Sequence, residues 1–204
     1  MMILYYVHDP MCSWCWGFRP VWQKIQASLP TDFQITYLLG GLVPDSNDPM
    51  PKAMQNDISG HWNKIQQHIP GTKFNFDFWD LCQPRRSTYP ACRAIIAARN
   101  QKPEIEKTMI EVIQVAYYLN AENPSDNKTL INLAMQNGLN EIKFTHDLDS
   151  NETQQQLENE IRFSQEIGAK GFPSMILEKD NTYHVVPLNY NDSDATIDFI
   201  KNFL

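Results

Sequence analysis

An apolar run, Ile3-Leu4-Tyr5-Tyr6-Val7, gives way to His8-Asp9-Pro10-Met11 and then at once to Cys12-Ser13-Trp14-Cys15. Beyond it, Phe18, Val21, Trp22, Ile25 and Leu29 recur at helical spacing. A continuous apolar run is the pattern of a central strand buried on both faces. The two cysteines therefore sit where a strand hands over to a helix. That placement says more than the motif, because C-x-x-C is also half of many zinc sites. Pro20 falls inside the helical stripe and is expected to kink the helix or lie in its first turn.

The position also carries chemistry. Residues three apart on a first helical turn share one side, so the two sulfurs lie within bonding reach. The first sits at the helix N-terminus, where unpaired N–H groups and the macrodipole favour an anion. In such motifs a cysteine titrating near ~8.5 can fall to about 3.5–7.5. The thiolate is the attacking species in disulfide exchange. Cys12 is accordingly read as the nucleophile and Cys15 as the resolving thiol. Ser13 can donate a hydrogen bond to the thiolate. Trp14 can shield the site or meet substrate, although plain packing explains it, like Trp16, equally well. His8 at the strand end can support the thiolate, against the blander reading of a structural histidine.

The remaining chain alternates and then changes character. Phe33 to Leu39 reads as a second strand stopped by Gly40-Gly41. From Pro51 to Leu148 the pattern is helices and loops: Met54 to Ile69, Ala91 to Arg99, a segment after Pro103, one capped by Asp126 and ending before Gly138, and a short one from Ile142 to Leu148. A helix through Leu157 and Ile161 ends at Ile167-Gly168, with glycine in the usual post-helix place. Ser174 to Glu178 and Tyr183 to Val186 flank the turn Asp180-Asn181-Thr182, a hairpin pattern. A final helix, capped by Asp192 or Ser193, carries Ile197, Ile200 and Phe203. A β-α-β start and a β-β-α finish can share one sheet. The expected organisation is one discontinuous domain, 1–50 with 150–204, interrupted by a helical insertion, 51–149.

Composition narrows the partners. The chain has 204 residues and a net charge of −7, and its only basic pair is Arg85-Arg86, so no stripe for neutralising phosphates is visible and nucleic acid is not expected. The N-terminal apolar run lacks the basic start of a secretory signal, and no apolar stretch reaches the roughly 18 residues of a membrane span. The expected location is the cytoplasm, with no membrane association. That compartment keeps thiols reduced, so the four cysteines are not read as a structural disulfide framework.

Gly171-Phe172-Pro173 precedes the hairpin, and Pro173 at a strand start is a candidate for a cis bond. From composition alone it is an ordinary strand-edge proline. Taken together, the strand, Cys12-Ser13-Trp14-Cys15, the helix, the helical insertion and Gly171-Phe172-Pro173-Ser174 resemble the DsbA-like branch of the thioredoxin superfamily. The resemblance is nearest to its cytosolic, FrnE-like members, often labelled predicted protein-disulfide isomerases. His8-Asp9-Pro10-Met11-Cys12, Trp16-Gly17-Phe18 and Ser87-Thr88-Tyr89-Pro90-Ala91-Cys92-Arg93 carry the same look. It implies an α/β thioredoxin fold with a helical insertion. It also implies a cis Phe172–Pro173 bond beside the cysteine pair, with Phe172 offering backbone to an extended substrate by strand addition. Secreted DsbA proteins usually place proline and histidine between their cysteines. Ser13 and Trp14 stand there instead, which favours reductase or isomerase over strong oxidant. The implied partners are protein or small-molecule thiols and disulfides. No bound cofactor is expected, glutathione entering only as a reducing or oxidising partner, and nothing fixes an oligomeric state.

Rival readings stay open. Cys82 and Cys92 are two buried reduced thiols or a second redox pair. A zinc site using Cys12, Cys15, Cys82 and Cys92 lacks a second tight pair. Kappa-class glutathione transferases and 2-hydroxychromene-2-carboxylate isomerases share the split architecture but use a serine near the Cys12 position. A non-catalytic adaptor retaining the fold is the remaining possibility.

Overall fold

The structure, a computed structural model, describes residues 2–204. Strand β1 (Met2–His8) leads into α1 (Ser13–Ser28) and β2 (Gln34–Leu39). Helices α2 (Lys52–His68), α3 (Phe78–Leu81), α4 (Tyr89–Gln101), α5 (Glu106–Tyr118), α6 (Asn127–Gln136), α7 (Glu141–Leu148) and α8 (Asn151–Glu166) follow, with a 3-10 turn at Pro103–Ile105. Strands β3 (Ser174–Lys179) and β4 (Thr182–Val186) and helix α9 (Asp194–Lys201) complete the chain. The sheet order is β2-β1-β3-β4. β1 runs parallel to β2 and antiparallel to β3, and β4 is antiparallel to β3.

β1 is apolar throughout because both of its faces are covered. Leu4 and Tyr6 pack in one cluster with Phe18, Val21, Trp22 and Ile25 of α1. Tyr5 and Val7, pointing the other way, pack with Leu38, Ile176 and Phe163 and Ile167 at the end of α8. The first of these clusters also takes in Ile95, Ile113 and Leu130, so the sheet and the helical stretch share one core. α4 is buried nearly all round, with Ala91, Cys92, Ala94, Ile95, Ile96, Ala97 and Ala98 fully shielded from solvent. Such a helix occupies the centre of the packed layer.

Local expectations were corrected at three points. α1 runs unbroken from Ser13 to Ser28, so Pro20 lies well inside it and not in its first turn. Proline there removes the bond to the Trp16 carbonyl, yet the helix continues to Ser28. Asp126 precedes α6 without capping it; its carboxylate pairs with Arg85 at 2.7 Å. α3 had no periodic signal, being four residues long, and forms because Phe78 and Trp79 bury themselves against Trp62. At the last helix Asp192 accepts from the Asp194 amide at 2.9 Å, covering the first free N–H of α9. Asp180 and Asn181 both have positive φ, 51° and 59°, the geometry of a type I′ hairpin turn. Among the described residues no helix is long and apolar enough to cross a membrane.

Candidate functional site

Cys12 is the residue before α1, extended at φ −80° and ψ 115°, and Cys15 falls in the first turn. The Cys12 amide donates to the Asp9 carbonyl at 3.0 Å, and the Cys12 carbonyl accepts from the Trp16 amide at 3.1 Å. The Cys12 thiol donates to the Phe172 carbonyl at 3.5 Å, across the Phe172–Pro173 peptide, which is cis. All four cysteines are free thiols. Burial pushes the Cys15 thiol well above its ordinary value, and its hydrogen bond to the Cys12 sulfur pushes the same way. Cys15 therefore rests protonated, behind a partner nearer the surface: Cys12 is 7% exposed and Cys15 1%.

Asp9, fully buried, organises the approach to the pair. One carboxylate oxygen accepts from the Met11 amide at 2.8 Å. The other accepts from the Leu42 amide at 2.7 Å, the Thr88 hydroxyl at 2.7 Å and the Cys92 thiol at 3.5 Å. Desolvation pushes the Asp9 carboxyl up, and these four donors pull it back. Its charge in turn disfavours the thiolate of Cys15.

A groove of about 700 Å³ opens in front of Cys12. Met11, Cys12, Ser13 and Trp14 form one wall, Gly171 and Phe172 another, and His61, Arg86 and Lys170 add polar groups. The structure thus gathers Ser13, Trp14 and Phe172 around Cys12, whereas Pro173 is buried and does not line the groove. Trp14 meets Tyr190 edge to face at 5.1 Å and His68 at 5.9 Å. Trp16 is core instead: its indole N–H donates to the Lys73 carbonyl at 2.9 Å and its ring stacks on Tyr118. Gly40 closes the groove floor. A β-carbon there would lie 1.8 Å from the Phe172 ring, so only glycine lets that side chain in.

His8 does not join this groove. It lines a separate cavity with Cys15, and burial lowers its imidazole to about 3, keeping it neutral. It supplies no cation to Cys12. Cys92 is buried and bonded to Asp9, whereas Cys82 is half-buried and donates to the Ala121 carbonyl at 3.1 Å. Among the described residues no group of three or more His, Cys, Asp or Glu side chains is arranged to hold a metal ion. Sequence reasoning passed over Asp9, Thr88, Arg86 and Lys170 as site residues. Asp9 and Thr88 lay inside the motifs that carry the resemblance, but nothing local showed that they touch.

The family model described as Thioredoxin matches residues 5–191. The chain belongs to this thioredoxin family. Among solved structures it is similar to a Nitrosomonas europaea protein described as a "putative protein disulfide isomerase", with TM-score 0.85, 27% identity and coverage of 98% of this chain and 96% of that one. It is also similar in fold to the cytosolic disulfide reductase DsbM of Pseudomonas aeruginosa, with TM-score 0.77, 23% identity and coverage of 98% and 97%, a protein also solved with GSH. A curated relative, the ClpXP adapter protein SpxH of Halalkalibacterium halodurans, is 27% identical over 182 residues, 87% of this chain and 59% of its own. SpxH of Bacillus subtilis is 23% identical over 182 residues, 89% and 59%. This thioredoxin-family chain thus spans about three-fifths of the length of the curated relatives it matches. The DsbA-like fold, a four-stranded sheet with helices packed about it, agrees with the sequence expectation.

Proposed function

We propose that this thioredoxin-family chain is a thiol–disulfide oxidoreductase acting through Cys12 and Cys15, as a reductase or isomerase. The observation that carries the reading is the pairing of Cys12, at the open start of α1 against the Phe172 carbonyl, with a protonated Cys15 directly behind it.

The Cys12 thiolate attacks one sulfur of a substrate disulfide and expels the other as a thiolate, which takes up a proton. Cys15, after losing its proton, attacks the Cys12 sulfur; the Cys12–Cys15 disulfide forms and the second substrate thiol leaves. An extended substrate lies along the Phe172 backbone, held by main-chain pairing. A strongly oxidising pair is one whose reduced form is stabilised. Here burial holds Cys15 as a neutral thiol, so no second thiolate adds to the stability of the reduced pair.

The same reading places the protein in the cytoplasm, where thiols abound, as the DsbM neighbour is described. Glutathione is then the recycling thiol, its carboxylates suited to Arg86 and Lys170 in the groove. The names of the SpxH relatives favour a second reading, a protein-binding adapter on the same fold. Cys15→Ser decides: it should trap mixed disulfides on Cys12 and abolish glutathione-driven insulin reduction. A variant that keeps full turnover points to a glutathione transferase type of chemistry. Absence of any adduct or turnover in the native protein leaves the adapter.

A further inference from the structure

The two thiols open onto different spaces. Cys12 lines the substrate groove and Cys15 does not; Cys15 lines a second cavity, of about 170 Å³, together with His8 and Tyr6. That cavity leads out past Gln114, Arg19 and Glu111, the last two paired at 3.3 Å with Glu111 more than half exposed. It has room for several water molecules. His8 is 1% exposed, and neither of its ring nitrogens has a protein partner. Buried polar atoms are nearly always bonded, so an imidazole left open on both sides calls for an explanation.

The resolving step has a matching need. Cys15 must shed its proton before it attacks Cys12, and it does so in an apolar interior with the groove occupied by substrate. Asp9 is a poor acceptor, because its carboxylate already takes four donors. We propose that His8 relays the Cys15 proton through water in the rear cavity to solvent, so that the proton leaves on the side away from substrate. This rests on the assignment of Cys12 and Cys15 given above. In the step the Cys15 S–H bond breaks and its proton passes by way of water to one ring nitrogen. The other ring nitrogen gives its proton to the cavity water, and the sulfur's electron pair forms the bond to Cys12. No redox partner is added, and the imidazole ends as the opposite tautomer. A neutral imidazole can do this because it has one donor and one acceptor nitrogen, whereas the charged ring has two donors. The groups around it keep it neutral: burial acts first and the Arg99 charge second. Tyr6 stacks at 5.5 Å and Tyr37 stands edge-on at 5.8 Å, its hydroxyl occupied by Trp22 and Gln26. Lys107 and Glu111 lie further along the cavity wall.

The test is two-phase release of thionitrobenzoate from 5,5′-dithiobis(2-nitrobenzoate), in a Cys82→Ala background so that the half-buried thiol adds no signal. The first equivalent reports attack by Cys12 and the second attack by Cys15. His8→Phe should leave the first phase within about twofold and slow the second about a hundredfold, the lower end of what positioned proton transfer supplies. In His8→Ala, added imidazole should restore the second phase. An unchanged second phase in His8→Phe, equal slowing of both phases, or no rescue of folded His8→Ala overturns the relay. Loss of the second phase in the parent protein would instead strike the Cys15 assignment.

Discussion

The hydroxyl of Thr88 donates to the carboxylate of Asp9 at 2.7 Å, joining the start of α4 to the loop that delivers Cys12. The same oxygen of Asp9 takes the Leu42 amide, and the Cys92 thiol completes the set. Asp9 therefore ties the loop before α1, the segment after β2 and the first turns of α4 to one buried point.

Asp9→Ala should cost about 1–3 kcal/mol, because it takes the acceptor from the buried Thr88 hydroxyl and from the half-buried Met11 and Leu42 amide bonds, and an unsatisfied buried group costs about that much. Urea unfolding measures it. Asp9→Asn removes the charge and turns one acceptor oxygen into an NH2 donor. It should shift the Cys12–Cys15 potential upward, toward a better oxidant, in glutathione redox buffers; a downward shift would contradict the charge argument.

Gly40→Ala should displace Phe172 and slow disulfide exchange, since the added carbon meets the ring at 1.8 Å. Overpacking of this kind costs about 1–3 kcal/mol. Gly171→Ala is the matched control on the same rim, with nothing within 4 Å of its added carbon, and should leave both stability and rate near those of the parent.

Stability should fall with acid through His8. Its imidazole drops from 6.5 to about 3 on folding, so the neutral ring is favoured in the folded state. The associated stability is fully present above pH 6.5 and is lost as pH falls toward 3, by up to about 1.4 kcal/mol per unit. Asp9, pushed up from 3.8 by burial, works oppositely just above that value, where its protonation favours the fold. Unfolding midpoints of His8→Phe between pH 6.5 and 4 should decline less steeply than those of the parent.

Arg93→Lys should destabilise by about 1–2 kcal/mol. Arg93 reaches both oxygens of Asp45 at 2.7 and 2.9 Å, Gln154 at 2.9 Å and the Leu148 carbonyl at 3.0 Å, and a single ammonium cannot hold that fork. Thermal melts check it, and an unchanged midpoint would show that the exposed side of Asp45 makes the pair dispensable.

Much of this was legible in the chain. The run from Ile3 to Val7 announced a strand covered on both sides, and the structure covers it with α1 and α8. The stripe after Cys15 announced α1, and Asp180-Asn181 announced a tight hairpin. These signals are local, since each depends on neighbours a few residues apart. What escaped was either too short to carry a period, as with α3, or a question of which side a residue faces, as with His8. Asp126 looked like a cap and became an ion pair because Arg85 lay within reach.

By itself, then, the sequence determined the order of strands and helices and the place of Cys12 and Cys15 where β1 meets α1, because periodicity and turn chemistry act over one or two turns of chain. Only the tertiary structure decided that Asp9 would be saturated by Leu42, Thr88 and Cys92, that Phe172 would lie over Gly40, and that Cys12 and Cys15 would open onto separate spaces. Those contacts join residues tens of positions apart, and burial makes them unavoidable: a carboxylate taken out of water must find donors wherever the packed chain brings them.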